Sequence, residues 1–231
     1  MRGEIIRFLP FPKPLLYLSS HKQNTRWDSD KKTKKFGSFL GVIKKDIYPE
    51  PPSETHLEIT KKLTEFFINK YSLLPQSDVL DVGCGQGVAL DLFTQQGCHP
   101  IGISMDAEDC DVCRRKGFQI YGMDQSFLDF DDETFHLVWC RHCLEHSIFP
   151  YFTISEFYRG LKPKGYLYVE VPASDTGCQH ERNRHHYSIL GRRMWIELLQ
   201  RSGFAVLDAI DINHKVPAGP DLYYAFIQQK Y

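Results

Sequence analysis

"DVGCGQG", residues 81–87, decides how the rest of the chain is read. The apolar run "DVLDV" leads into it and "VALDLF" leaves it, so the spacing predicts strand, glycine-rich turn, helix. Bare backbone at the start of a helix lets a ligand approach closely. A dinucleotide asks for G-x-G-x-x-G, with its pyrophosphate on the helix N-terminus. Here the glycines are Gly83, Gly85 and Gly87, and Val88 stands at the sixth position, so that spacing fails. Asp81 adds a charge. A carboxylate near the turn repels a pyrophosphate and attracts a cation, by roughly 3 kcal/mol per unit charge at ~5 Å and an effective dielectric of ~20.

Outward from this loop, strand and helix signals alternate. "HPIGIS" reads as a strand. "AEDCDVCRRKG" reads as a helix with acids in its first turn, bases in its last and Gly117 as its stop, each complementing the helix dipole. "FQIYGM" and "FHLVWC" are strands, "FTISEFYRGL" a helix halted by "KPKG", and "YLYVEVP" a strand. "LGRRMWIELLQRSG" is a helix, and "FAVLDAIDI" and "LYYAFIQQ" close the chain as strands. Before the loop, Ser53 is a candidate N-cap. Ile59, Leu63, Phe66 and Phe67 then form one helical face. The expected fold is α/β: a Rossmann-like, doubly wound, seven-stranded sheet with helices on both faces. It is mostly parallel, with an antiparallel last strand. Ligands bind such sheets at the carboxyl ends of the strands, where the strand order reverses.

The 231 residues allow one domain with a sizeable core plus an extension. Residues 51–231 carry the alternating pattern. Residues 1–50 hold 11 Lys and Arg against 5 Asp and Glu, and are expected to form a loosely ordered basic arm or lid, with its basic cluster at 31–35. The overall net charge of −1 argues against an electrostatic nucleic-acid binder. No run approaches the ~18 apolar residues of a membrane helix, and "MRGEIIRFLPFPKP" is too short and proline-broken for a signal peptide. Seven cysteines set within apolar patterns suit reduced thiols in a cytoplasmic protein.

The ordered set of motifs resembles the class I S-adenosylmethionine-dependent methyltransferases of small-molecule type, over roughly residues 54–228. "VLDVGCGQG" is similar to the family's first motif. "GMDQSFLDFDDETFHLVWCRHCLEH" follows the family pattern G-D-a-x-x-L-P-F-x-x-x-x-F-D-x-V-x-x-x-x-x-L-E-H. "LKPKGYLYVEVP" and "LLQRSGFAVLD" follow in family order. The resemblance implies S-adenosylmethionine as cofactor, a ligand with both an ammonium and a sulfonium. Asp81, Gly83, Gly85 and Gly87 then line its methionine end, which the strand exit from Cys140 to His142 passes. Asp124 and Gln125 meet the adenine, and Met105 packs on it. Where the family carries an acid for the ribose hydroxyls, this chain has Ser104, with Asp106 as a substitute. His136, in place of a common aspartate, is expected to be structural.

His146 is the candidate general base, since histidine titrates near neutral pH. His142, His185 and His186 are candidate acceptor-binding residues. The His- and Arg-rich segment "TGCQHERNRHHYSILGRR" suggests a polar or anionic small-molecule acceptor such as a sugar or sugar nucleotide. Two metal readings are set aside. "HCLEH" fits H-x-x-E-H, but follows a buried strand instead of lying on one helix. Cys110-x-x-Cys113 and Cys140-x-x-Cys143 belong to strands two apart, too distant for shared Zn–S bonds of ~2.3 Å. The resemblance leaves open a divalent cation at His142, Glu145 and His146 with histidines of "HERNRHHYS", but no metal is assigned. The competing functions are a dinucleotide oxidoreductase and a non-catalytic binding protein on the same fold.

Overall fold

The computed structural model describes residues 29–43 and 54–231. Helix α1 (Ser29–Ile43) forms within the stretch expected to be a loosely ordered arm, with Lys32, Lys34 and Lys35 exposed along it. The rest of the expected arm, and the Ser53 cap, lie outside the described residues.

Seven strands build one sheet: β1 (Asp78–Val82), β2 (His99–Ser104), β3 (Gln119–Gly122), β4 (Phe135–Arg141), β5 (Leu161–Pro172), β6 (Phe204–Val216) and β7 (Gly219–Lys230). Their order is β3-β2-β1-β4-β5-β7-β6. All pairs from β3 to β5 are parallel, while β7 runs antiparallel to both β5 and β6. Chain order reverses between β1 and β4, which opens a crevice at their carboxyl ends. The fold class matches the expectation.

Both faces of the sheet are covered, which is why its central strands read as continuous apolar runs. On one face Leu80, Val82, Val138, Leu167 and Val169 pack against α5 (Pro150–Gly160) and α6 (Arg192–Arg201). On the other, Val79, Leu137, Trp139 and Tyr168 pack against α2 (Glu54–Tyr71) and α3 (Val88–Gln95). Trp139 is the hub of that second face. It stacks on Tyr168 at 3.8 Å between centroids and meets the edges of Phe67 and Phe93 at 5.9 and 5.5 Å.

Three details differ from the sequence reading. Phe67 is fully buried, but Phe66 is 37% exposed. The buried stripe of α2 runs instead through Thr60, Leu63, Thr64 and Phe67, and Thr64 Oγ1 donates to the Thr60 carbonyl at 2.7 Å. Threonine pairs its hydroxyl within the helix, so it passes as a core residue where a pattern of apolar letters cannot see it. The "KPKG" stop lies inside β5 as an irregularity: Phe135 pairs with Leu161, and Leu137 with Tyr166. Finally, β6 and β7 run on to Val216 and back from Gly219, because they pair with each other beyond the core.

All seven cysteines are free thiols. Cys110 and Cys113, on α4 (Ala107–Arg115), join Cys84 in a small satellite cluster, whereas Cys140 lies in the main core. The two C-x-x-C pairs thus form no shared site. No helix among the described residues is long and apolar enough to cross a membrane.

Truncating the hub should cost most. Trp139→Ala is expected to lower unfolding free energy by about 3–5 kcal/mol, read as a lower urea midpoint at unchanged slope.

Candidate functional site

The glycine loop leaves β1 at the crevice. Gly83 and Cys84 both donate to the Ile103 carbonyl, at 2.9 and 3.1 Å, which pins the loop to β2. Gly83, Gly85 and Gly87 have φ of 71, 48 and 84°, a region costly for other residues. Two of the three are also held small by packing. A Cβ on Gly83 would stand 2.7 Å from Cys143 Sγ, and one on Gly87 3.0 Å from Cys113 Sγ. A Cβ on Gly85 would meet nothing within 4 Å, so the middle glycine of the loop borders open space.

Beneath the loop, Asp81 is 3% exposed, and its Oδ2 has no hydrogen-bond partner among the described residues. Burial pushes the carboxyl up to about 8, helped by the Cys113 thiol and opposed by Arg141. At the end of neighbouring β4, Arg141 sends Nε to Glu170 at 3.1 Å and Nη1 to Thr60 Oγ1 at 2.9 Å. Its Nη2 is buried and unpartnered among the described residues. An acid and a base on adjacent strands therefore each keep one unsatisfied buried atom. Such atoms are costly unless something binds them.

Glu170, fully buried on β5, anchors the next layer. His142 Nε2 lies 2.8 Å from its carboxylate, and the Tyr168 hydroxyl donates at 2.7 Å. Burial alone would raise this carboxyl, but His142, Arg141 and Tyr168 outweigh it and hold it at about 2. His142 has φ 50° and stacks on Tyr223 at 4.4 Å. The ring of this candidate acceptor-binding residue is engaged by Glu170 and Tyr223. Glu170 itself was passed over in the sequence. Its signal was a lone charge inside "YLYVEVP".

The β2 and β3 exits form the far side of the crevice. Ser104 Oγ accepts from Asp106 N at 3.1 Å, and Asp106 caps α4 by accepting from Asp109 N at 2.9 Å. Using Asp106 as a ribose acid would therefore uncap the helix, and Ser104 stands as the polar group of that strand end. Met105 is half-buried beside it. Asp124 Oδ1 accepts from Ser126 N at 2.8 Å, fixing a turn. Gln125 Nε2 donates to the Cys143 carbonyl at 2.8 Å, which ties the β3 and β4 exits together, while its Oε1 is buried without a partner among the described residues. Cys140 is fully buried and pairs with Val82 and Val169, and β4 ends one residue later at Arg141.

On the acceptor side, Leu144–His146 is a single 3-10 turn. His146 Nδ1 lies 2.9 Å from the His185 carbonyl, and its ring sits 4.9 Å from that of His186. The structure thus brings together His146, His185 and His186, but not His142. Glu145, His146 and His186 each place one ligand atom within 4.8 Å of the others. His142 takes no part in that group, so "HCLEH" does not act as a two-histidine motif. His136 is structural, as expected: its Nδ1 accepts from Asp78 N at 2.9 Å, at the start of the strands and away from the crevice.

Comparison with known proteins places this geometry. The family model described as a methyltransferase domain matches residues 53–209. The chain belongs to the methyltransferase-domain family. Its class is the S-adenosylmethionine-dependent class I, and S-adenosylmethionine is the cofactor of that class. The ubiquinone biosynthesis O-methyltransferase of Hahella chejuensis is 31% identical over 112 residues, 46% of this chain and 47% of that protein. The glycine/sarcosine/dimethylglycine N-methyltransferase of Actinopolyspora halophila is 26% identical over 183 residues, 73% of this chain and 32% of that one. The chain thus spans less than half the length of either curated relative. A S-adenosylmethionine-dependent methyltransferase from Archaeoglobus fulgidus shares the fold at TM-score 0.61 and 21% identity, covering 75% of this chain and 94% of its own.

The residues present fit such a cofactor on one observation: Asp81 and Arg141, on adjacent strands beneath the glycine loop, each keep a buried atom without a partner among the described residues. A methionine moiety brings an ammonium and a carboxylate, the complementary pair.

The buried network makes a pH prediction. Glu170 has its folded pKa depressed to about 2 from 4.5, so its contribution is complete above 4.5 and is lost as pH falls toward 2. Glu170→Gln should cost about 3 kcal/mol at neutral pH. Its deficit against the parent should shrink in denaturant titrations below pH 4.5.

Proposed function

We propose that this protein transfers a methyl group from S-adenosylmethionine to an oxygen or nitrogen of a polar small molecule. The observation that carries the reading is Asp81: a buried carboxyl with one unsatisfied oxygen, beneath a glycine loop whose middle glycine faces open space. Gly83, Gly85 and Gly87 admit the methionine end. Asp81 takes its ammonium and Arg141 its carboxylate, while Ser104, Met105, Asp124 and Gln125 receive the ribose and adenine. The bound cofactor supplies an electrophilic methyl carbon for in-line displacement. The protein's own part is alignment, and orientation of this kind is worth up to about 7–11 kcal/mol.

His146 is the proton acceptor in this reading. It stands on the turn after β4, and its Nδ1 is engaged with the His185 carbonyl. That contact fits a proton on Nδ1 and a basic Nε2, the tautomer a general base needs. His185 and His186 border the acceptor, with His142 as support behind them. The two curated relatives carry O- and N-methyltransferase names, so the atom is left to experiment. The finer reading of a sugar or sugar nucleotide rests only on the His and Arg content of residues 176–193.

Calorimetry on the free protein is the first test. S-adenosylmethionine should bind at micromolar strength, and Asp81→Asn should weaken it about 10- to 100-fold, as loss of a charge-assisted hydrogen bond does. Because Asp81 has its folded pKa raised to about 8, it is largely protonated at neutral pH in the free protein. A cationic ligand draws it back to the charged form, so binding should release a proton and tighten as pH rises from 6 to 8. No binding to a folded sample would remove the cofactor assignment. Once an acceptor is found, His146→Ala should lower kcat by about 10²–10⁴ and remove the acid limb of the pH profile. An unchanged profile would mean that His146 is not the base.

A further inference from the structure

Cys178, His180 and Asp221 form a cluster outside the proposed cofactor site. One ligand atom from each lies within 4.8 Å of the other two. His180 Nε2 is 3.0 and 3.1 Å from the two oxygens of Asp221, and Oδ1 also accepts from Leu222 N at 3.0 Å. The Asp221 side chain is 4% exposed and that of His180 13%, whereas Cys178 is half-buried.

The backbone builds this arrangement. Gly177 donates to the Pro220 carbonyl at 2.9 Å, and a Cβ on Gly177 would stand 2.9 Å from the Ala218 carbonyl oxygen and 3.0 Å from Gly219 Cα. The segment after β5 is thereby pressed onto the β6–β7 turn. Ala173 also donates to the Leu222 carbonyl at 2.9 Å. These contacts set Cys178 and His180 opposite Asp221, from parts of the chain about forty residues apart.

We propose that Cys178, His180 and Asp221 bind a divalent transition metal of the zinc type, through Cys178 Sγ, His180 Nε2 and one Asp221 oxygen. The chemistry and the spacing both support it. Thiolate, imidazole and carboxylate are the three zinc donors, and three protein ligands leave a fourth position for water. In a tetrahedral site with bonds of about 2.0–2.1 Å, nitrogen and oxygen ligands stand about 3.3 Å apart, and sulfur about 3.6 Å from either. The nitrogen–oxygen edge is already within about 0.3 Å of that, and the sulfur needs only to close in. Charge agrees as well: a Cys178 thiolate and the Asp221 carboxylate together balance a dication. On binding, the thiol proton passes to solvent, while the ring proton of the neutral histidine resides on Nδ1 and leaves the Nε2 lone pair to the metal. No electron transfer is involved.

The His180 ring lies 5.7 Å from that of His186, so the metal would brace the histidine-rich segment beside the proposed acceptor site. It is distinct from the Glu145–His146–His186 group, with which it shares no residue.

Cobalt(II) titration of the full chain, first stripped with chelator, tests the assignment. One equivalent should bind with the visible bands of a tetrahedral ion and a near-ultraviolet thiolate-to-cobalt band, and one equivalent of zinc should displace it. Cys178→Ser should abolish the thiolate band, and His180→Ala should weaken binding at least tenfold. Cys143→Ser, at the other half-buried thiol, and His146→Ala should keep both. Near-ultraviolet circular dichroism checks that each variant is folded. No thiolate band in the folded parent would reduce the trio to an ion pair beside a thiol and overturn the proposal. So would a band that survives Cys178→Ser, or one that is lost in Cys143→Ser or His146→Ala. None of these readings depends on methyl transfer.

Discussion

A buried carboxyl with one oxygen left over is the constraint around which this structure is organised. Asp81 ends a central strand, is 3% exposed and lacks a partner for Oδ2 among the described residues. A folded protein tolerates such a group at a cost, and the usual remedy is to stay protonated or to meet a cation. Both are open to Asp81, because burial holds it neutral in the free protein and a bound ammonium reverses the balance. The site is thus destabilised in advance against the arrival of a ligand of the right charge. Arg141, one strand away, mirrors it with an unsatisfied Nη2. Two opposite, incomplete groups are what the proposed binding of a zwitterionic methionine end would complete.

The glycine loop keeps its shape through thiols. Cys143 closes on Gly83 and Cys113 on Gly87, with Cys113 Sγ 3.2 Å from the Gly85 carbonyl. A thiol is small, apolar and only weakly hydrogen-bonding, so it can press on bare backbone without competing for it. The abundance of cysteine near the crevice is thereby a packing feature. Cys84, inside the loop, belongs to the same satellite core as Cys110 and Cys113. The C-x-x-C spacings have a related explanation. On α4, residues three apart share one face, and that face covers the loop.

Much of this was legible in the sequence, and the reason is periodicity. Each strand–helix unit carries its own apolar pattern and its own stop, as Gly97, Gly117 and Gly203 show with φ of 76, 92 and 97°. Topology followed from the alternation, and the crevice from the topology. The glycines and Asp81 were legible because the motif is local. Three kinds of feature were not. Thr60 and Thr64 are core residues written in polar letters. Glu170 is a charge whose partners, Arg141 and His142, arrive from the end of the neighbouring strand 29 and 28 positions earlier. Asp221 meets His180 only because a loop folds back across the β6–β7 turn. Pairings between distant segments leave no periodic trace, so side chains that look equivalent in the sequence, such as His142 and His146, take opposite roles.

That division of the histidines carries the argument from fold to chemistry. A general base must be oriented by one nitrogen and available on the other. His142 fails the second condition, since its Nε2 is spent on Glu170, a carboxylate held ionised and fully buried. A proton taken up there would serve stability and could not be exchanged with an acceptor without breaking the network. His146 Nδ1 lies against a backbone carbonyl, that of His185, which cannot titrate. A backbone carbonyl accepting from Nδ1 fixes the tautomer whose lone pair is on Nε2, the form a general base uses. The two histidines four residues apart in "HCLEH" are thus separated by their partners. One is tied to the buried Glu170, and the other to the backbone of the histidine-rich segment after β5.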